Sequence, residues 1–185
     1  RSWRSAAEPL VPRNLELKAR IDSLCAARRT AVTLGARLHA VIHQTDTYFV
    51  ISQGRLKLRE VDGEIAQLIF YERASAAGTA GRWSAYLIYP VRSPGLLLDA
   101  LAIEYRIQSQ VRKRREVFLL RNARIHLDDV RGLGTFLEFE VIERNGRTQA
   151  ELLFASLRIA FGVKASATIA GSYADMARRP LRRKR

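Results

Sequence analysis

With 185 residues, 48% of them hydrophobic, the chain has the length and apolar content of one domain with a core, which excludes a disordered, solvated chain. Its net charge of +14 and pI of about 10.9 call for an anionic partner. One cysteine excludes an internal disulfide, and no apolar run approaches a membrane span, so the chain reads as soluble and cytoplasmic.

The opening residues 1–13 contain "RSWRSAAEPLVP", which is small and proline-containing, lacks the apolar stretch of a signal peptide, and reads as a tail. Strands are expected at 14–20, 46–51, 54–60, 65–73, 84–90, 115–121, 123–130 and 135–144, where residues alternate or run apolar with β-branched and aromatic enrichment. "SQG", "VDG" and "RGLG" read as the turns between neighbours. Helices are expected at 21–36, ending near Gly35, at 94–107, opened by Pro94, and at 147–162, ending at Gly162. Cys25 falls in the first helix and reads as a buried packing thiol. The last eight residues, "RRPLRRKR", hold six positive charges. They read as a solvated tail over 178–185, with contact to nucleic acid or an acidic surface as the sharper alternative. Residues 14–177 are expected to form the single domain.

The strands carry their charges on one face. In 14–20, Asn14, Glu16, Lys18 and Arg20 stand opposite Leu15, Leu17 and Ala19. In 54–60, Arg55, Lys57 and Arg59 stand opposite Leu56 and Leu58. Lys113 pairs with Arg115, while Arg124, His126 and Asp128 stand opposite Ile125 and Leu127. Arg73 ends its strand two residues after Tyr71, and "EFE" puts Glu138 and Glu140 together. A sheet with one solvated face gives such alternation in most antiparallel proteins. A solvated face usually mixes signs within a strand, however, because adjacent like charges repel. Here three strands offer only basic residues and one only acids. About eight strands can also close a barrel with an inward face. A lumen lined with Lys and Arg would take a polyanion, and its acids a hard cation such as Mg²⁺ or Mn²⁺.

"NLELK" (14–18), "DTYF" (46–49), "GRLKLRE" (54–60), "IFYER" (69–73), "VRKRREVFLL" (111–120), "RIHLDDVRGLGTFLEFEV" (124–141) and "GSYADM" (171–176) follow one another in the order of a known family. Together they resemble the CYTH superfamily of triphosphate tunnel metalloenzymes, and within it the class IV adenylate cyclase branch. The resemblance implies an α+β fold: an eight-stranded antiparallel closed β-barrel with helices packed outside and a charged tunnel within. It implies phosphate binding by Lys18, Lys57, Arg59, Arg73, Lys113, Arg115 and Arg124. It implies Mg²⁺ or Mn²⁺ on Glu16, Asp128, Glu138 and Glu140, with Glu16 and Lys18 catalytic. The family's opening E-x-E-x-K motif has Asn14 in place of its first Glu, an oxygen donor without charge. His126, on the same polar face, reads as a hydrogen-bond donor to phosphate or a neighbour more readily than as a general base.

The expected activity is therefore metal-dependent hydrolysis of a triphosphate, whether inorganic triphosphate, ATP or another nucleoside triphosphate, by a monomer or homodimer. The first alternative is a class IV adenylate cyclase. The second is a non-catalytic polyphosphate- or nucleic-acid-binding protein, against which stands an aromatic content of only 8%.

Overall fold

Leucine, isoleucine and phenylalanine alternate with charge along most of the chain, so each strand has an oily face to hide and a charged one to place. In the computed structural model, which describes residues 13–73, 81–144 and 146–177, a closed barrel solves both problems. Its strands are β1 (Arg13–Arg20), β2 (Arg37–Phe49), β3 (Arg55–Val61), β4 (Ala66–Arg73), β5 (Arg82–Val91), β6 (Ile107–Leu120), β7 (Ala123–Val130) and β8 (Gly134–Ile142). All pairings are antiparallel, in the order β1-β5-β4-β3-β2-β6-β7-β8. Four helices accompany them: α1 (Leu24–Thr33), α2 (Pro94–Glu104), α3 (Arg147–Ala160) and α4 (Tyr173–Ala177). The expected terminal tail at 178–185 and most of that at 1–13 lie outside the described residues.

The main apolar core is outside the barrel. Leu15, Leu17 and Ala19 of β1, Ile125 and Leu127 of β7, and Leu137, Phe139 and Val141 of β8 turn outward under α1 and α3. Ala27 and Ala31, one helical turn apart, bring α1 close. Ala150, Phe154 and Leu157 do the same for α3, and Phe139 lies edge-on to Phe154 with ring centroids 6.4 Å apart. Arg28 of α1 donates from Nε and Nη2 to the two oxygens of Glu116 on β6 at 2.9 and 2.7 Å, tying the helix to the wall. Because the helices take the oily faces, the charged faces are left to line the lumen.

Several local expectations change. Helix α1 starts at Leu24, where the Ser23 hydroxyl accepts from the Ala26 N–H at 3.1 Å, so the helix is shorter than 21–36. Gly35 and Gly162, with φ of +81° and +58°, end α1 and α3 in a conformation that disfavours a side chain. Cys25 is exposed rather than buried, because the alanine face of α1 points away from it; its sulfur accepts from Arg29 Nη1 at 3.0 Å. Strand β2 begins at Arg37 instead of residue 46, and β6 at Ile107 instead of 115. The added part of β2, "RLHAVIHQ", is mostly exposed, so burial imposed no alternation on it. Seven paired positions with β6, from Arg37 to Gln44, hold it in the sheet.

Candidate functional site

Because the pleat has a period of two, each strand sends every second side chain into the lumen. The result is a cavity in the lumen, lined mainly by polar and charged side chains. One wall is cationic: Lys57 and Arg59 of β3 face Lys113 and Arg115 of β6.

Between these strands runs β2, and its Asp46 is fully buried. Asp46 Oδ2 accepts from Lys57 Nζ at 3.2 Å and from Gln44 Nε2 at 2.7 Å, while Oδ1 accepts from Arg59 Nε at 3.0 Å. Lys113 Nζ stands 3.7 Å from Oδ2. Burial by itself would raise the Asp46 pKa, but Lys57, Arg59 and Lys113 outweigh it and hold the carboxyl far below its ordinary range. Burial, reinforced by Arg59, lowers Lys57 to about 7, and burial with Arg115 lowers Lys113 to about 8. Lys57, Arg59 and Lys113 thus share one buried carboxylate on this wall, and Lys113 also stands 3.6 Å from the buried Asp128.

The opposite wall is built in rows by the register of β1, β8 and β7. Lys18, Glu138 and His126 are directly opposite one another across the three strands, and Glu16, Glu140 and Arg124 form the next row. Lys18 Nζ donates to Glu138 Oε1 at 2.7 Å, and Arg115 Nη2 donates to Glu138 Oε2 at 2.6 Å. Arg115 also grips both oxygens of Asp128 at 2.6 Å, and the Tyr173 hydroxyl donates to Asp128 Oδ2 at 2.8 Å. Burial would raise Glu138, but Lys18 and Arg115 pull it well below the carboxylate range. Glu140 is looser, with Arg124 Nη1 at 3.6 Å and His126 Nδ1 at 3.9 Å. His126 is lowered by burial and then by Arg115, which leaves its ring neutral near pH 7.

Helix α4 lies against the barrel. Its Tyr173 ring faces the Lys18 and Lys113 ammonium groups at 4.0 and 5.0 Å. Arg55 Nη1 donates to Asp175 Oδ1 at 2.8 Å and to Ser172 Oγ at 3.1 Å.

The fold of this barrel is shared with known proteins. The CYTH domain family matches residues 12–173. The chain belongs to that family. No curated protein matches it. Among solved structures, the PH1012 protein of Pyrococcus horikoshii OT3 is 21% identical with a TM-score of 0.76, over 88% of this chain and 98% of that one. A Vibrio parahaemolyticus protein provisionally assigned as an adenylate cyclase is 18% identical with a TM-score of 0.72, over 89% and 97% of the two chains. The Hippeastrum protein HpAC1, described with a dominant triphosphatase activity, is 14% identical with a TM-score of 0.63, over 90% and 95%. At these identities the likeness is one of fold.

This CYTH barrel gathers Glu16, Lys18, Lys57, Arg59, Lys113, Arg115, Arg124, Glu138 and Glu140 around one cavity. Asp128 is near them but fully buried, with its oxygens bonded to Arg115 and Tyr173. Arg73 ends β4 opposite Ser84, and its side chain lies outside the described residues. Arg20 is exposed and donates to the Leu133 carbonyl at 2.7 Å, so it does not add to the buried charge as strand parity suggests. Sequence reasoning missed Asp46 and Tyr173. Both occur in quoted family segments, "DTYF" and "GSYADM", and Asp46 shares the parity of Tyr48, which lines the cavity. A strand expected to begin at residue 46 gave no reason to ask which way its first residue pointed. Helix α4, at five residues, is too short to show a period.

Among the described residues, no helix is long and apolar enough to cross a membrane.

Proposed function

We propose that the barrel is a metal-dependent phosphohydrolase that cleaves a triphosphate, inorganic or nucleoside-linked. The observation that carries this reading is the convergence of Lys57, Arg59, Lys113 and Arg115 on one cavity whose far wall bears Glu16, Glu138 and Glu140. The fold shared with HpAC1, for which triphosphatase activity is described, supports it.

The acidic wall suits a divalent ion. Carboxylate and amide oxygens are the donors that Mg²⁺ and Mn²⁺ accept. Glu140 keeps its ion-pair contacts at 3.6 Å or longer, and Asn14 Oδ1 is buried without a hydrogen-bond partner in the same lining. Glu16, Glu138 and Glu140 would hold the ion, with Asn14 adding an oxygen. Once bound, the ion neutralises charge on phosphate oxygens.

The chain's own residues do the rest. Lys57, Arg59, Lys113 and Arg115 bind the phosphate oxygens and stabilise negative charge that builds on the leaving group. Asp128, fully buried behind the cavity lining, anchors Arg115 instead of reaching an ion. Lys18, fixed by Glu138, orients the terminal phosphate. Water attacks the γ-phosphorus, the bond from that phosphorus to the bridging oxygen breaks, and the proton of water leaves with orthophosphate or to solvent. Cyclisation would instead need the ribose 3′-oxygen held about 3–3.5 Å from the α-phosphorus, and hence a firm grip on the nucleoside. With ATP and Mn²⁺ or Mg²⁺, chromatography should show ADP and orthophosphate. Cyclic AMP with stoichiometric pyrophosphate would make the protein a cyclase.

Lys57 and Lys113 add a pH test. Unfolded, each lysine keeps its proton to about pH 10.4; folded, they release it near about 7 and 8. Between those limits the unfolded chain binds more protons, so stability rises with pH, by up to about 1.4 kcal/mol per unit for each lysine. The same deprotonation removes charge from the phosphate wall. At about pH 7, tripolyphosphate at about a hundred times its Kd should add about 2.7 kcal/mol of stability. By about pH 9 the protein alone should melt higher, and the gain from the same tripolyphosphate concentration should be smaller. A gain equal at both pH values, or equal to that from chloride of the same ionic strength, would contradict an anion-binding lumen.

A further inference from the structure

We infer that His126 is a direct ligand of the divalent ion, which makes the site one for a first-row transition ion that accepts an imidazole nitrogen, such as Mn²⁺ or Co²⁺, in preference to Mg²⁺. The inference rests on the metal-dependent reading above and adds a ligand of different chemistry to its carboxylates.

Three observations meet at this side chain. First, His126 Nδ1 is buried and has no hydrogen-bond partner, although the side chain is only 5% exposed. A buried polar atom left unpaired costs about 1–3 kcal/mol, and native proteins retain few of them without a reason. Second, the atom is aimed between the two carboxylates of "EFE". It stands 3.6 Å from Glu138 Oε2 and 3.9 Å from Glu140 Oε1, too far for a hydrogen bond to either. Third, one atom from each of His126, Glu138 and Glu140 fits within a 4.8 Å span. Bonds of about 2.0–2.2 Å place two ligands of one ion no more than roughly 4.4 Å apart, so the nitrogen and either oxygen can share an ion without rearrangement of the backbone.

The register makes this arrangement durable. His126 and Glu138 are direct neighbours across β7 and β8, and Glu140 is the next inward residue along β8. Arg115 holds Glu138 Oε2 but keeps two further bonds to Asp128, so its place does not depend on Glu138. A histidine that served only as a donor to phosphate would face the cationic wall, whereas this nitrogen faces two acids. Nitrogen donors separate the candidate ions. Mg²⁺ binds oxygen and retains its waters, while imidazole is a good ligand for transition ions.

The test uses the full chain with Mn²⁺ as the probe, without substrate. Pulsed electron paramagnetic resonance should show ¹⁴N coupling to bound Mn²⁺, replaced by a ¹⁵N pattern when the wild-type protein carries ¹⁵N-histidine. Competition should show Mn²⁺ bound at least about tenfold more tightly than Mg²⁺, and His126→Gln should lose both the nitrogen coupling and most of that preference. The exposed His39 and His43, both on β2, should be irrelevant to the signal. Mn²⁺ bound without any nitrogen coupling would overturn the inference while leaving the metal-dependent reading intact. Retained ¹⁴N coupling or an unchanged preference in His126→Gln would overturn it as well. Absence of Mn²⁺ binding by the wild type would sink both. The isotope experiment needs no variant, so a substitution that failed to fold would leave the question decided.

Discussion

Replacing Asp46 with asparagine is expected to destabilise the unliganded protein by about 3–5 kcal/mol near pH 7, the range found when one partner of a buried ion pair is removed. Asp46 is the carboxylate that Lys57 and Arg59 bond and Lys113 approaches, and it is fully buried. Asparagine has the same shape and can still accept a hydrogen bond, so the loss reports charge more than packing. The three cations would then crowd one another on one wall of a lumen of low dielectric. The two lysines can relieve that repulsion by releasing protons, so the deficit should narrow toward about pH 9. A phosphate oligomer supplies the missing negative charge, and tripolyphosphate should therefore raise the melting temperature of the variant more than that of the wild type. Urea melts at two pH values, with and without tripolyphosphate, check all three statements. A variant as stable as the wild type would remove Asp46 from its role as the counter-ion of the empty clamp.

Glu140→Gln should have the opposite profile, with little effect on the fold and a large one on turnover. Its pairing with Arg124 is long, at 3.6 Å, and Arg124 is 43% exposed, so the ion pair contributes less than about 1 kcal/mol. Its proposed duty is to the ion, whose charge neutralisation at phosphate is worth several kcal/mol. Metal-dependent phosphate release should therefore fall by at least about a hundredfold, with a melting temperature within a few degrees of the wild type. Rates measured across a range of Mn²⁺ concentration are the check. Full activity at limiting Mn²⁺ would move the ion away from "EFE".

These two residues also mark what could and could not be read in advance. Glu140 was legible because it repeats Glu138 two positions on, inside a strand whose other face is Leu137, Phe139 and Val141. Lys57 with Arg59 and Lys113 with Arg115 were legible for the same reason. Asp46 offers no such repeat: Gln44 and Tyr48 flank it at the same parity, and neither carries charge. Tyr173 stands in a segment with no periodicity, and its contact with Asp128 spans 45 residues. Asp128 itself was legible as an inward acid. Its partners were not, because a carboxylate on the inner face can meet an ion or an arginine with equal ease.

The amino-acid sequence by itself determined which face of each strand bears charge, because alternation is a local property of the pleat that every second residue must obey. It also carried enough ordered motifs to resemble the family to which the chain belongs. Only the tertiary structure decided which charges meet. β1 lies between β5 and β8, and β2 between β3 and β6, so Lys18 finds Glu138 across 120 residues of chain while Asp46 collects cations from two different strands. Closure and register depend on contacts between distant segments, which no local pattern encodes. They convert a list of inward charges into a cationic wall, an acidic row and a histidine nitrogen aimed between two carboxylates.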